Sequence, residues 1–202
     1  MKIPIQTFSF HLSFETPEWH PVFIANTLRG AFGIHLKRIA CGRSRKNCED
    51  CLLADSCIYK YVFETPVPEN SAMMKKYTSA PHPFIFCITE KNNPITAARV
   101  EVTLIGGCVE YLPYFIYAFE SMGGEGLTRN KHKFTLDKVT SSSQTNAIYI
   151  NGSSKLKIPL KPDTLEIPEN LILDTSSTTA TLTMLTPLRV KKENKFMRAF
   201  EF

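Results

Sequence analysis

The first hydrophobic pattern in the chain is a strict alternation within residues 3–14. Every second residue from position 8 to position 14 is apolar and the residues between them are polar, the apolar set being Phe8, Phe10, Leu12 and Phe14. Because side chains alternate between the two faces of a β-strand, this pattern predicts a strand with one buried face. His11 falls on the opposite face, so we expect it to face solvent or a ligand.

A helical pattern follows over Pro21–Ala40. Apolar residues recur there every three or four positions and form one stripe: Ile24, Leu28, Phe32, Leu36 and Ile39. This spacing predicts an amphipathic helix, and proline suits its first position because the N–H there would have no helical partner. Gly30 and Gly33 lie inside the helix, where each glycine costs about 1 kcal/mol relative to alanine. We therefore expect a close neighbour at this backbone, either a packed strand or a phosphate group.

The rest of the chain alternates further strands with a second helix. That helix is predicted over Leu112–Met122 and is expected to end at Gly123–Gly124, because glycine commonly follows the last residue of a helix. Short apolar or β-branched segments predict strands over 59–64, 81–90, Ala98–Val109, Lys133–Val139 and Ala147–Ile150. Two helices among antiparallel strands favour an α+β domain of the ferredoxin-like (RRM-like) type.

Four cysteines within seventeen residues form a C-x6-C-x2-C-x5-C pattern: Cys41, Cys48, Cys51 and Cys57. Compact sets of four thiolates bind tetrahedral zinc, and a C-x2-C pair is a common chelating hairpin. An iron–sulfur cluster also uses four thiolates, and disulfides are the alternative without a metal. We expect a structural zinc inserted in the domain, since four protein ligands leave no open coordination position for catalysis.

Composition and charge indicate a mildly basic intracellular protein. The 202 residues carry a net charge of +5, which allows a polyanionic partner without requiring one. The chain does not open with a charged segment followed by an apolar run, so no signal peptide is predicted. Its longest apolar runs are far shorter than a membrane span. We therefore expect a cytoplasmic protein without a membrane partner, a setting that favours a metal over disulfides.

Several segments occur in an order that is typical of one known family. They are LRGAFGIHLKRIAC with the cysteines and CIYKYVFETP that follow, PHPFIF at 81–86, YLPYFIYAFESMGGEGLTRNKHKFTL at 111–136, and LTPLRVK at 185–191. Together they resemble the CRISPR precursor-RNA processing endoribonucleases of the RAMP superfamily. The resemblance implies a ferredoxin-like domain that is usually present twice. Residues 1–178 would be the first domain and residues 179–202 the beginning of a second.

The same resemblance implies metal-independent cleavage of CRISPR repeat RNA. A 2′-hydroxyl attacks the neighbouring phosphate and leaves 2′,3′-cyclic phosphate ends, which requires a base, an acid and nearby cations. No cofactor takes part in that catalysis. The candidate catalytic residues are His35, His20 and Lys37. In the family a histidine often follows Ala-Phe-Gly directly, whereas here Ile34 does and His35 comes next. A buried structural histidine is the alternative for His35, because it lies close to the apolar stripe.

Candidate RNA contacts lie on the first helix and in the loop after the second: Arg29, Arg38, Gly124, Gly126, Arg129 and Lys131. That loop resembles the family's GxGLGxxR segment, with Thr128 in place of a glycine. A solvated helix face and an ordinary helix cap are the alternatives for these two regions. The sequence therefore indicates an endoribonuclease that matures CRISPR RNA. The alternatives are a non-catalytic RAMP RNA-binding subunit, partnered by other CRISPR effector subunits, and a zinc-dependent interaction domain.

Overall fold

A computed structural model describes the following residues: 2–18, 24–41, 48, 51–67, 79–88, 95–141, 144–153, 155–156, 162–166, 191–192 and 195–196. The chain divides into two compact units, Met1–Ile167 and Pro168–Phe202. The fold and the candidate site described below belong to the first unit.

The order of helices and strands in the first unit defines its topology. The elements are β1 (Lys2–Glu18), α1 (Ile24–Ala40), β2 (Phe84–Ile88), β3 (Ile95–Ile105), α2 (Leu112–Glu125), β4 (Phe134–Ser141), β5 (Gln144–Ile150) and β6 (Asp163–Glu166). The antiparallel sheet has the order β2-β3-β1-β4-β5, and β6 pairs with the beginning of β1. A β-α-β-β-α-β succession with β1 and β3 in the middle of the sheet is the ferredoxin-like arrangement. The predicted fold class is confirmed.

β1 is a central strand with one fully covered face. The alternating set is buried as predicted: Phe8, Phe10, Leu12 and Phe14. β3 pairs along one edge of β1 and β4 along the other, both antiparallel. His11 lies on the opposite face, where the register sets it between Arg99 of β3 and Lys138 of β4. Its position toward a solvent or ligand face is therefore as expected.

The two helices pack against the covered face of the sheet. Phe32 of α1 stacks on Phe115 of α2 with ring centroids 4.7 Å apart, and Phe10 of β1 meets Phe119 of α2 at 4.8 Å. The predicted α2 stripe is buried, with Leu112, Phe115, Ile116 and Phe119. Leu28, Phe32 and Leu36 of the predicted α1 stripe are buried and Ile39 is half-buried. Since this stripe holds α1 on the sheet, the residues on its other side face outward.

Lys60–Glu64 forms a π-helical turn, so the strand predicted over 59–64 is wrong. The aromatic residues at every second position suggested a period of two. In the helical conformation, however, Tyr59 and Phe63 come to one side and stack with centroids 5.7 Å apart. Tyr61 points elsewhere and packs edge-on against Tyr111 at 5.7 Å. The local structure therefore follows the spacing of four between Tyr59 and Phe63 and not the alternation of aromatic residues.

The boundaries of two further elements also differ from the sequence prediction. α2 continues through Gly123–Gly124, because Gly123 is buried and a β carbon there would collide with the backbone of β4. The helix is closed instead by Gly126, which has φ of 85° and bonds through its N–H to the Met122 carbonyl at 2.8 Å. β3 ends at Ile105, and Gly106–Tyr111 forms a 3₁₀ turn that leads into α2.

In the second unit, the described residues form a short antiparallel hairpin of β7 (Lys191–Lys192) and β8 (Lys195–Phe196). The domain boundary predicted at residue 178 lies outside the described residues. The beginning of a second ferredoxin-like domain therefore stays a prediction.

Candidate functional site

An open groove with a volume of about 660 Å³ runs beside the outward side of α1. It is lined from α1 by Gly30, Gly33, Ile34, Lys37 and Arg38, and from the π-helical turn by Tyr59 and Phe63. Among the described lining residues, the charged ones are the cations Lys37 and Arg38. We call this feature the α1 groove. It combines positive charge, aromatic rings and exposed helix backbone.

Tyr59 and Phe63 form the floor of the α1 groove and are the first two of four stacked rings. Phe63 lies between Tyr59, at 5.7 Å and 20° between planes, and His82, at 5.5 Å and 22°. Phe84 of β2 follows His82 at 5.7 Å. The His82 ring is held in turn by the Thr65 hydroxyl, whose oxygen is 3.2 Å from Nδ1. Stacking on both sides fixes the orientation of Phe63 at the floor of the groove.

The two glycines of α1 have different settings. A β carbon at Gly33 would collide with the Phe63 ring, since Cε1 and Cε2 would lie 2.7 Å from it. The neighbour expected at this backbone is therefore an aromatic side chain, not a strand or a phosphate. A β carbon at Gly30 would meet no heavy atom within 4 Å among the described residues. Glycine costs about 1 kcal/mol in a helix interior, so Gly30 destabilises α1. Packing against the described residues does not explain why a glycine stands there.

Lys37 joins the positive charge of the α1 groove to its aromatic floor. Its Nζ lies 5.1 Å from the centroid of the Tyr59 ring, a cation–π distance. Burial alone would lower the pKa of Lys37, but Cys48, Tyr59 and Glu64 raise it above its ordinary value. The side chain is half-buried. Lys37 is therefore an ammonium at neutral pH, close to the groove surface.

The two candidate arginines of α1 contact other side chains. Arg38 donates from Nη1 to both carboxylate oxygens of Glu125 in α2, each at 2.7 Å. This hydrogen bond is the main reason why the pKa of Glu125 is below its ordinary value. Arg29 lies outside the α1 groove, 5.4 Å from the centroid of Phe84, and borders a smaller cleft of about 190 Å³ with Ile85. The structure therefore brings Lys37 and Arg38 together but not Arg29.

The His35 ring is buried between the two helices and is not part of the groove lining. Its Nδ1 lies 2.8 Å from the Ser121 hydroxyl oxygen, and its Nε2 lies 3.8 Å from a Glu125 carboxylate oxygen. Burial lowers the pKa of His35 and outweighs the opposing influence of Glu125. These contacts are typical of a structural histidine, and catalysis by His35 stays a prediction. His20 lies outside the described residues.

The loop after α2 is a tight, basic hairpin. Leu127 and His132 exchange two backbone hydrogen bonds of 2.8 and 2.9 Å. Thr128 and Lys131 have φ of 64° and 52°, a region that side chains with a β carbon rarely adopt. The glycine expected at position 128 from the family pattern would fit this backbone without strain. Arg129 is exposed between them at the tip, so the predicted phosphate contacts of this loop are accessible.

The two candidate glycines of this region also differ from each other. Gly126 is required by the turn, because its φ is 85° and a β carbon would collide with the backbone of Lys131. Gly124 is exposed in the last turn of α2, with no heavy atom of the described residues within 4 Å of a β carbon. The intervening residue is Glu125, the partner of Arg38. That pair brings the beginning of the loop to the edge of the α1 groove.

The cysteine cluster begins where α1 ends. The Cys41 N–H bonds to the Lys37 carbonyl at 2.9 Å, and Cys48 and Cys57 are half-buried against the core. All six cysteines are free thiols. Burial raises the pKa of the Cys48 thiol, with Glu64 acting in the same direction and Lys37 opposing it. Within the described residues, no three His, Cys, Asp or Glu side chains come together as a metal site. The zinc site at Cys41, Cys48, Cys51 and Cys57 therefore stays a prediction.

Comparison with known proteins identifies the family. The family described as AF_1859_N, N-terminal domain, matches residues 3–161. The chain belongs to this family. An uncharacterized protein of Archaeoglobus fulgidus is 27% identical over 139 residues, which cover 66% of this chain and 45% of that protein. The chain therefore spans less than half the length of this relative.

A solved structure described as a Cas6 (TTHB231) product complex is also similar to this chain. The match covers 67% of this chain and 39% of that chain, with 18% identity and a TM-score of 0.38. A likeness of this degree supplies no argument about activity. The AF_1859_N match includes β1 from residue 3 onward, β2 to β5, the described residues of the α1 groove and the four clustered cysteines. Among the helices of the described ranges, none is long and apolar enough to cross a bilayer.

Two parts of the site were not found from the sequence of this AF_1859_N domain. The strand predicted over 59–64 includes Phe63, although its spacing of four from Tyr59 is a signal for a shared helical face. Glu125, which holds Arg38, gave no local signal because the two residues are 87 positions apart. Pairs of this kind are created only when the two helices pack together.

Proposed function

We propose that the α1 groove binds RNA and that this chain is the N-terminal, RNA-binding domain of an endoribonuclease that processes CRISPR repeat RNA. The proposal rests on the lining of the groove, in which the charged residues that the structure describes are Lys37 and Arg38. RNA binding needs positive charge for phosphates and exposed rings or backbone for close approach. Because the Archaeoglobus relative is more than twice as long as its matched part, the proposed activity belongs to the full-length protein.

The open backbone at Gly30 supports a ligand in this groove. Alanine would make α1 more stable at this position, and no neighbour among the described residues forbids it. A phosphate or ribose that approaches the helix backbone would forbid it. Lys37 is seven residues, or about two helical turns, further along the same face of α1, which suits a contact to the same strand of RNA. Arg29, Arg129 and Lys131 would contact phosphates further from the centre of the groove.

The proposed reaction is a transesterification within the RNA chain. The 2′-hydroxyl gives its proton to a base, and its oxygen forms a bond to the adjacent phosphorus. The bond from phosphorus to the 5′ oxygen breaks, and an acid protonates that oxygen. The products are a 2′,3′-cyclic phosphate and a 5′-hydroxyl, and no metal is required. Lys37 would offset the negative charge that develops on the phosphorane, and His35 and His20 are the candidate acid and base.

The setting of His35 favours a second candidate function, a RAMP subunit that binds RNA in a CRISPR effector complex without cutting it. The ring is buried and engaged with Ser121. A histidine that transfers protons in catalysis must come within hydrogen-bond reach of the substrate. Single-turnover cleavage of repeat RNA by the full-length protein in EDTA separates the two functions. Cleavage with cyclic phosphate ends supports the enzyme, and binding without cleavage supports the subunit.

We also propose a structural zinc at Cys41, Cys48, Cys51 and Cys57. The donor set is four free thiols that follow directly from α1. The metal would hold the end of α1 against the turn that carries Tyr59 and Phe63, and so maintain the shape of the groove. Such a site has a structural role, because four thiolate ligands fill the coordination sphere.

The test of RNA binding compares two variants that each remove one lysine. Lys37→Ala in the groove should weaken binding to repeat RNA and reduce the slope of log affinity against log salt by roughly 0.7 to 1. Lys138→Ala, which removes an exposed charge from β4 on the sheet, should leave the slope unchanged. Gly30→Ala should weaken binding without loss of stability. Equal slopes for the wild type and Lys37→Ala would contradict the proposal.

A further inference from the structure

We propose that the α1 groove accepts an unpaired nucleotide, with its base against Ile34 and Phe63 and its phosphate at Lys37. This inference rests on the proposed function and specifies the ligand as single-stranded RNA. The groove volume of about 660 Å³ falls within the range of roughly 300 to 1,000 Å³ that is usual for pockets enclosing a small ligand. A double helix keeps its bases inside and presents mainly phosphates and 2′-hydroxyls.

The apolar part of the groove is a surface suited to a planar ring. Ile34 is 56% exposed although it lies in the middle of α1. The half-buried Phe63 ring is fixed between Tyr59 and His82 and pressed against Gly33. An aromatic ring that is already immobilised loses little conformational freedom when a base packs on it. Ile34 and Phe63 therefore form a preorganised contact for one face or edge of a base.

The polar part of the groove is set next to this apolar surface. The Lys37 ammonium is 5.1 Å from the Tyr59 centroid, and Tyr59 stacks on Phe63. A cation and a ring floor thus lie side by side, as the phosphate and base of one nucleotide do. None of the described residues that line the groove is acidic, although Glu64 is near enough to Lys37 to raise its pKa and Glu125 binds Arg38. Arg38 lies at the edge of the groove, where Glu125 holds its guanidinium in place and offsets its charge.

The alternative ligand chemistry is a bare phosphate backbone, and it makes a different demand. A groove that binds only backbone needs cations and open amides but has no use for an exposed isoleucine beside a fixed aromatic ring. Ile34 would then be an ordinary exposed apolar residue. The experiment must therefore separate contacts to bases from contacts to phosphates.

The experiment measures the affinity of the full-length protein for three RNAs of equal length and charge per strand. They are an unstructured oligonucleotide, the same oligonucleotide with abasic sites, and its duplex. Packing of a base on Ile34 and on the exposed edge of Phe63, whose faces are already stacked, predicts that the intact single strand binds roughly 5- to 30-fold more tightly than the abasic strand. Ile34→Ala should reduce this ratio by roughly three- to tenfold. The matched control is Ile150→Ala on β5, which is 52% exposed and should leave the ratio unchanged.

The outcomes distinguish this inference from the function on which it rests. Equal affinity for the intact and abasic strands, with both weakened by Lys37→Ala, would overturn the base contact but support RNA binding in the groove. An unchanged ratio in Ile34→Ala would also overturn it. If none of the three RNAs binds at low salt, the proposed function fails and this inference fails with it. Preference for the duplex over both single strands would overturn the inference alone.

Discussion

Two glycines of α1, three residues apart, should respond in opposite directions to replacement by alanine. In Gly30→Ala, the added methyl group meets no heavy atom within 4 Å among the described residues. In Gly33→Ala, the methyl group enters the space of the Phe63 ring, two of whose carbons would lie only 2.7 Å away. The pair thus compares an open and a filled position on the same helix.

The expected magnitudes follow from helix propensity and packing. Alanine in place of glycine inside a helix raises the free energy of unfolding by roughly 1 kcal/mol. Gly30→Ala should show this gain. Gly33→Ala has the same gain, but an extra methyl group in a packed region costs roughly 1 to 3 kcal/mol. Phe63 cannot move aside freely, since it is stacked between Tyr59 and His82. The two variants should therefore differ by roughly 1 to 3 kcal/mol, with Gly30→Ala the more stable.

Urea unfolding of the wild type and both variants measures these free energies directly. Adding Phe63→Leu to Gly33→Ala should recover part of the lost stability, because the smaller side chain leaves room for the methyl group. Equal stability of the two alanine variants, or greater stability of Gly33→Ala, would contradict the packing of Phe63 against α1. The position of Phe63 at the floor of the proposed RNA groove would then be contradicted as well.

Three other predictions concern the metal, the histidines and the loop. The full-length protein should contain about one equivalent of zinc, and Cys51→Ser should lose it and melt at a lower temperature; elemental analysis without zinc in the wild type would contradict this. Burial lowers the pKa of His11, His35 and His82 below the ordinary 6.5, so the folded chain binds fewer protons than the unfolded chain. The free energy of unfolding should therefore be fully retained above pH 6.5 and should fall as the pH drops below it, which urea unfolding across this range checks. If the wild type loses no more stability at low pH than His35→Gln does, the lowered pKa of His35 is contradicted. Thr128→Gly should raise the free energy of unfolding by up to about 1 kcal/mol, because it relieves the positive φ, and a loss of stability in the same assay would count against that backbone.

The fold was predictable because burial in this domain follows simple periodicities. The alternation from Phe8 to Phe14 and the stripe through Phe32 each mark one buried face. Two helices that must cover one face of an antiparallel sheet leave few topologies. The cations Lys37 and Arg38 were also predictable as outward-facing, because they lie off the stripe. Local patterns of this kind need no knowledge of distant partners.

The details of the site depend on contacts that local patterns do not contain. Tyr59 and Phe63 fit both a strand and a helical turn, and the packing of Phe63 on Gly33 and on Tyr59 decides between the two. A glycine at position 33 indicates a close neighbour but does not say which residue it is. The neighbour is Phe63, which lies 30 positions later in the chain. The setting of His35 depends on Ser121 and Glu125, which α2 supplies. Such residues become neighbours only through tertiary packing.

The central claim is that RNA lies in the α1 groove, and crosslinking tests it most directly. Repeat RNA that carries 4-thiouridine at single positions is bound to the full-length protein, irradiated and digested, and the crosslinked peptides are identified by mass spectrometry. We expect crosslinks in the peptides that contain Ile34 and Phe63, and their loss in Lys37→Ala but not in Lys138→Ala. Crosslinks confined to β1, β3 and β4, where His11 lies between Arg99 and Lys138, would contradict the claim and move the RNA to the opposite face of the sheet.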